Sequence, residues 1–229
     1  VLFWPEKVDS YVAAASEKRE LTLEDGTSVL MAPGSLLEIV FNEKIREVRL
    51  IKGAAIFDIA PEDRAFLTKA GDYEIRDIGT IFSVEVRSEI AGEELEIAGV
   101  EVEVKEGAVE IVNTAVNASQ AARVEEGETT VWREPEVTPE VEPFSVERFA
   151  EWQNGFLSYR NRSLAEVLAD LGRTYGLEIR MEDQTLSEET ITGTMPVDDL
   201  VDAIGLLETL LPVELRQEGS SLYRVVRVD

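Results

Sequence analysis

The chain contains no cysteine and no histidine among its 229 residues. Without cysteine there is no thiolate nucleophile, no disulfide frame and no zinc-thiolate centre. Without histidine the commonest general base and the commonest transition-metal ligand are both missing, so a Ser-His-Asp triad cannot be assembled. Basic residues are scarce as well, 22 lysines and arginines against 47 acidic side chains, a net charge of -25. A surface so acidic repels phosphate backbones and anionic headgroups, which excludes nucleic acid as an expected partner. No apolar run approaches the ~18 residues that a membrane-spanning helix needs. An initiator methionine is also missing. The chain begins Val1-Leu2-Phe3-Trp4-Pro5 and reads as a piece of a longer protein.

What is present divides into three stretches. Residues 8–132 carry short alternating or β-branched runs broken by turn signals. The runs fall at residues 20–24, 28–31, 37–41, 47–51, 54–59, 73–75, 82–86, 100–104 and 109–112, with Asp25-Gly26, Pro33-Gly34-Ser35 and Lys105-Glu106-Gly107 as turns between them. This pattern predicts an all-β domain, as a sandwich, a barrel or a short β-solenoid. Residues 133–143 hold three prolines and four glutamates, an extended linker that builds no core.

Residues 144–229 change character and predict a small α+β domain of two βαβ halves closed by a hairpin strand. Strands are expected at 156–159, 177–181, 191–195, 213–216 and 222–228. Leu164, Val167, Leu168, Leu171 and Tyr175 recur at helical spacing behind Ser163, an N-cap with Glu166 three residues on, and Gly176 is a natural stop. A second helix is expected over residues 197–211. The spacing of Leu164, Leu168 and Leu171 suits core packing first and a partner-docking face second. The terminal strand, with Leu222 and Val225, is expected at a free sheet edge where another protein could add a strand.

The motifs of the first stretch follow one another in a recognisable order. They are Asp25-Gly26-Thr27, the run from Arg46-Glu47-Val48 through Gly53-Ala54-Ala55-Ile56-Phe57, then Phe66-Leu67-Thr68-Lys69-Ala70-Gly71, Gly79-Thr80-Ile81-Phe82-Ser83-Val84 and Val104-Lys105-Glu106-Gly107. Together they resemble the FecR family of transmembrane anti-sigma regulators. Ala54 departs from a glutamate common there, and Ser16 from a glycine. The stretch from Trp152 through Leu168, with Ile191-Thr192-Gly193-Thr194, resembles the C-terminal domain of such proteins. That domain is similar to the short N-terminal domain of secretins and TonB-dependent transporters.

The resemblance implies a periplasmic sensor region, anchored to the inner membrane by a segment absent from this chain. It would receive the state of a TonB-dependent outer-membrane transporter, usually in iron uptake. It would pass that state, through periplasmic and intramembrane proteases, to an extracytoplasmic-function sigma factor held by a cytoplasmic region also absent here. No cofactor, metal or small-molecule ligand is implied, and no metabolic activity. The alternative is a secreted structural or adhesive module built from the same domains.

The resemblance also implies one chemical step, self-cleavage between Gly79 and Thr80. The Thr80 hydroxyl would attack the Gly79 carbonyl, and a carboxylate such as Asp77 or a water would activate it. The plain alternative is a tight turn into the strand that follows. Paired carboxylates such as Glu93-Glu94, Glu188-Glu189 and Asp198-Asp199 are ordinary adjacency in a chain with 47 acids. The Asn117-Ala118-Ser119 and Asn161-Arg162-Ser163 sequons are matters of pattern only.

Overall fold

The structure, a computed structural model, describes residues 8–92, 94–115, 121–133, 139–197 and 199–228. The apolar start, Glu93, the Asn117 sequon and Asp198 lie outside them. The strands of the first part are β1 (Asp9–Val12), β2 (Arg19–Thr22), β3 (Ser28–Met31), β4 (Leu36–Phe41), β5 (Ile45–Asp58), β6 (Ala65–Ala70), β7 (Tyr73–Asp77), β8 (Ile81–Ala91), β9 (Glu94–Glu106), β10 (Ala108–Asn113), β11 (Ala121–Glu125), β12 (Glu128–Trp132) and β13 (Val141–Pro143). All of them belong to one sheet of 13 strands, whose main path runs β11-β10-β7-β6-β5-β8-β9-β12-β13.

The continuity comes from β5. Its first half pairs with β4 and, in parallel, with β6, while its second half pairs with β3 and β8. Between the halves stands Gly53 at φ +83°, where a Cβ would lie 2.2 Å from Ser35 Oγ. Glycine alone lets the strand turn there while Ser35 Oγ bonds both the N–H and the carbonyl of Ala54. The sheet therefore curls round a single core, including Phe57, Phe66, Phe82, Ile111 and Trp132, nearly as a barrel.

A second contact between distant motifs pins the curl. The Asp25 carboxylate accepts from Thr27 and from Arg46 Nη1 at 2.8 Å, with both charged side chains almost wholly buried. Arg46 also donates to the carbonyls of Ala60 and Arg64 and lies over the Phe66 ring. Burial alone would raise the Asp25 carboxyl. The hydrogen bonds from Thr27 and the pairing with Arg46 hold it below its ordinary value.

The last part of the chain contributes β14 (Phe156–Ser163), α1 (Leu164–Tyr175), β15 (Glu178–Met181), β16 (Thr190–Pro196), α2 (Leu200–Leu210), β17 (Val213–Gln217) and β18 (Leu222–Arg227). The order of elements follows the expected two βαβ halves, but the strands form two sheets. β14 pairs with β16, and β15, β18 and β17 form a separate three-stranded sheet. Ser163 caps α1 in a reciprocal capping box with Glu166, and Gly176 ends it at φ 70°. None of the described helices is long and apolar enough to cross a membrane.

Two expectations need correction. The terminal strand β18 is not an edge: it lies between β15, in parallel, and β17, antiparallel. Val225 is fully buried within it and Leu222 half-buried. The linker is not wholly outside the fold either, because Val141–Pro143 pairs with Glu128–Thr130 as the outermost strand of the large sheet.

Candidate functional site

The two parts meet along a seam of buried charge. Residues 166, 170 and 174 recur every fourth position and share one face of α1, and Arg162, at the end of β14, comes one step before them on the same side. Three of them, Arg162, Glu166 and Asp170, are charged and almost completely buried. Facing them on β8 and β9 are Glu85, Arg87 and Glu101. Arg162 Nη2 donates to Glu85 at 2.9 Å and Glu101 at 3.0 Å, while its Nη1 lies 3.6 Å from Asp170. Arg87 Nε lies 3.0 Å from Glu166, which Arg133 approaches from the other side at 3.3 Å.

Arg173 closes the seam at the far end of α1. It pairs with Asp170 and donates to the Pro33 carbonyl, and a Cβ on Gly34 would strike its backbone at 2.3 Å. Ser16 N–H donates to the Thr174 carbonyl beside it.

The electrostatics follow from this geometry. Burial opposes charge on Arg162, but four surrounding carboxylates overcome it and hold the guanidinium firmly protonated. Burial would likewise raise Glu85, yet Arg162 and Arg87 hold it below its ordinary value. Asp170 goes the other way, raised by burial and by the negative charge of Glu85. Tyr159, buried beside Arg162, is pushed well up by desolvation.

Residues 144–155 bridge the parts. Phe149 and Ala150 are buried against Ile56 of β5, and Trp152 packs on this small cluster and on the C-terminal core. Ile90, near the tip of the β8–β9 hairpin, is buried in the C-terminal core. A cavity of about 70 Å³ remains between the parts, lined by Glu85, Glu101, Glu103, Tyr159, Arg162 and Asp170 among others, and an open cleft of about 770 Å³ adjoins it. No cluster of three or more potential ligands suited to a metal occurs among the described residues.

The Gly79-Thr80 peptide lies in the bend between β7 and β8. Gly79 is exposed with φ +80°, a conformation that favours glycine, and Thr80 is buried. The Thr80 hydroxyl donates to the Ala108 carbonyl at 2.6 Å, and Gly107 packs so closely that a Cβ there would lie 2.3 Å from the Gly79 oxygen. A carbonyl cannot take the proton that an attacking hydroxyl must lose. Asp77 Oδ1 is buried and accepts no hydrogen bond from the described residues.

The sequence motifs thus meet in pairs: Asp25 with Arg46, Ser35 with Gly53, and Gly79-Thr80 with Gly107-Ala108. Two family models match in the same order, one described as FecR protein over residues 9–110 and one as FecR, C-terminal over residues 156–223. The chain belongs to the FecR family. No curated protein sequence matches it. Two crystal structures of a candidate anti-sigma factor from Parabacteroides distasonis, at 1.65 Å and 2.50 Å resolution, share the fold of this FecR-family chain. The first superposes with a TM-score of 0.79 at 19% identity, covering 96% of this chain and all of that one. The second gives 0.80 at 19% identity over 97% of this chain and again the whole of the other.

Of the partner-docking residues expected in this FecR-family chain, Leu164, Leu168 and Leu171 are fully buried in the C-terminal core, as is Val225. Side chains without exposed surface cannot touch a second protein, so the docking reading of these four is corrected to core packing. The seam itself had a signal that sequence reasoning passed over. Charges at positions 166 and 170 sit on the same turns as the leucines, with Arg162 just ahead of the helix, where a purely solvated helix face would not place them.

Proposed function

We propose that this chain is the periplasmic, signal-receiving region of an anti-sigma regulator. It receives the state of a TonB-dependent outer-membrane transporter and relays it, through regulated proteolysis, to an extracytoplasmic-function sigma factor bound by another region of the full protein. The observation that carries this reading is the ordered match of both FecR models, one to each structural part. The shared fold with a candidate anti-sigma factor along 96% of the chain supports it.

The C-terminal part is the receiver in this reading, and the curled sheet is the scaffold against which its position is set. The test is a sigma-dependent reporter in cells carrying the full-length gene. Deleting residues 156–223 should leave transcription deaf to the inducing signal. A reporter that responds as before would overturn the assignment.

Self-cleavage at Gly79-Thr80 belongs to the same reading. The Thr80 oxygen bonds to the Gly79 carbonyl carbon as the C–N bond breaks, and the hydroxyl proton ends on the freed Thr80 nitrogen. Water then hydrolyses the ester, restoring the hydroxyl and leaving Gly79 as a carboxylate. Asp77 is the base within reach in sequence. In this mechanism the hydroxyl must first leave the Ala108 carbonyl, so local opening of that contact precedes the attack. Thr80→Ala should leave a single full-length band on a denaturing gel where the parent gives two fragments, and an unchanged pair of fragments in the variant refutes the step.

A further inference from the structure

Ala150 adopts a left-handed backbone, φ 44° and ψ 58°, which a residue carrying a Cβ holds only when its surroundings enforce it. Its N–H donates to Glu103 Oε2 at 2.8 Å. Through that contact the connector 144–155 is fastened to β9, and Phe149 is buried beside it. Glu103 is half-buried at the wall of the cavity between the two parts.

The charges around Glu103 come from every element packed against it. Glu101 stands on its own strand and Glu85 on β8. Glu151 and Arg148 come from the connector, Arg162 from β14 and Asp170 from α1. Across the adjoining cleft lie Arg87, Arg133, Glu140, Glu142 and Arg160. Each arginine is committed elsewhere. Arg162 holds Glu85 and Glu101, Arg148 holds Glu151 through two hydrogen bonds, Arg87 and Arg133 hold Glu166, and Arg160 pairs with Glu142. Lys105, next but one on β9, lies over the Phe149 ring. Among the described residues no cation forms a salt bridge with Glu103, although Arg148 lies near enough to feel its charge, and the carboxylate accepts one backbone N–H, from Ala150.

We propose that Glu103 and the connector 144–155 form a proton-operated latch: with Glu103 neutral the connector is seated on the sheet, and with Glu103 charged it loosens and frees the C-terminal part to move. Burial and the charge of Glu101 push the Glu103 carboxyl up to about 7 against an ordinary 4.5, with the Ala150 N–H pulling the other way. A carboxyl that binds its proton more tightly in the seated state favours seating most fully below its free value. That advantage declines as pH rises and is gone above about 7. The difference between the two values bounds the change in the seating equilibrium at roughly a few hundred-fold.

The test is backbone amide exchange in the whole chain, corrected for the intrinsic rate, at about pH 6 and about pH 8. In the parent protein the protection of residues 150–155 should fall by up to ~10-fold between the two. Glu103→Gln keeps an acceptor for the Ala150 N–H and removes the ionisation, so it should hold the low-pH protection at both. Protection that is flat in the parent, or a Gln variant that follows the parent, overturns the latch. Should the variant not fold, carbon-detected titration of the Glu103 carboxyl in the parent decides. A midpoint near 7 supports the latch and one near 4.5 overturns it. None of these readouts depends on the sigma-factor reading.

Discussion

Arg162→Met is the most informative single change, because one guanidinium serves carboxylates from both parts. The side chain is 4% exposed and sits 2.9 Å from Glu85, 3.0 Å from Glu101, 3.6 Å from Asp170 and 3.9 Å from Glu166. Methionine fills much the same length without the charge. Its cost is therefore chiefly the cost of leaving buried carboxylates without their cation, about 3–5 kcal/mol for one broken buried pair. That corresponds to a shift of more than ~100-fold between the docked and separated arrangements of the two parts. For a chain of this size it lowers the melting temperature of the affected part by roughly 10 °C.

Calorimetry distinguishes where the loss falls. Ile90 of β8 is buried in the C-terminal core, and Trp152 ties that core to the cluster of Ile56, Phe149 and Ala150, so the parent should melt in one transition, and Arg162→Met should split it with the C-terminal part unfolding first. Adding Glu85→Gln should recover part of the loss, since it neutralises a carboxylate that the first change orphaned. A variant that melts as one unit within ~1 kcal/mol of the parent would show that the seam is solvated and that the buried-charge argument is wrong.

Other perturbations test the scaffold. Asp25→Ala orphans Arg46 in the first core and should cost about 3–5 kcal/mol by urea titration. In the parent, the contribution of Asp25, whose carboxyl is lowered in the fold, is present above its ordinary value of 3.8 and is lost as pH falls below that, so acid should erase the difference between parent and variant. Gly53→Ala puts a methyl group 2.2 Å from Ser35 Oγ at φ +83° and should destabilise by more than ~2 kcal/mol, whereas Gly92→Ala, with open space around it at φ +68°, should cost only the ~1 kcal/mol of the left-handed backbone.

Local chemistry was legible in the sequence where it acts over short range. The Ser163–Glu166 capping box and the Gly176 stop stand where the spacing puts them. The turn motifs were legible as turns, but what they hold was not. Asp25 meets Arg46 across 21 residues, and Thr80 meets Ala108 across 28. The expected break between residues 51 and 54 is instead the middle of one 14-residue strand, because Gly53 bends the chain without ending the ladder. The last strand reads as an edge from its place in the sequence. Its place in the sheet is set by parallel pairing with β15, which no local pattern encodes. The seam is long-range in the same way: Glu85 and Arg162 are 77 residues apart.

The composition of that seam bears on how such a receiver can work. Two parts joined by an apolar face would expose it on separating, and the open state would be costly and prone to association. Here the centre of the contact is Arg87, Arg162, Glu85, Glu101, Glu166 and Asp170. Charges that lose their pairing on opening regain water, and the two terms largely cancel. The docked and open arrangements therefore lie closer in free energy than a wholly apolar seam would allow, although the fixed pairs define the docked one. A partner that prefers one arrangement by a few kcal/mol can then move most of the population, which a seam sealed by leucines would resist.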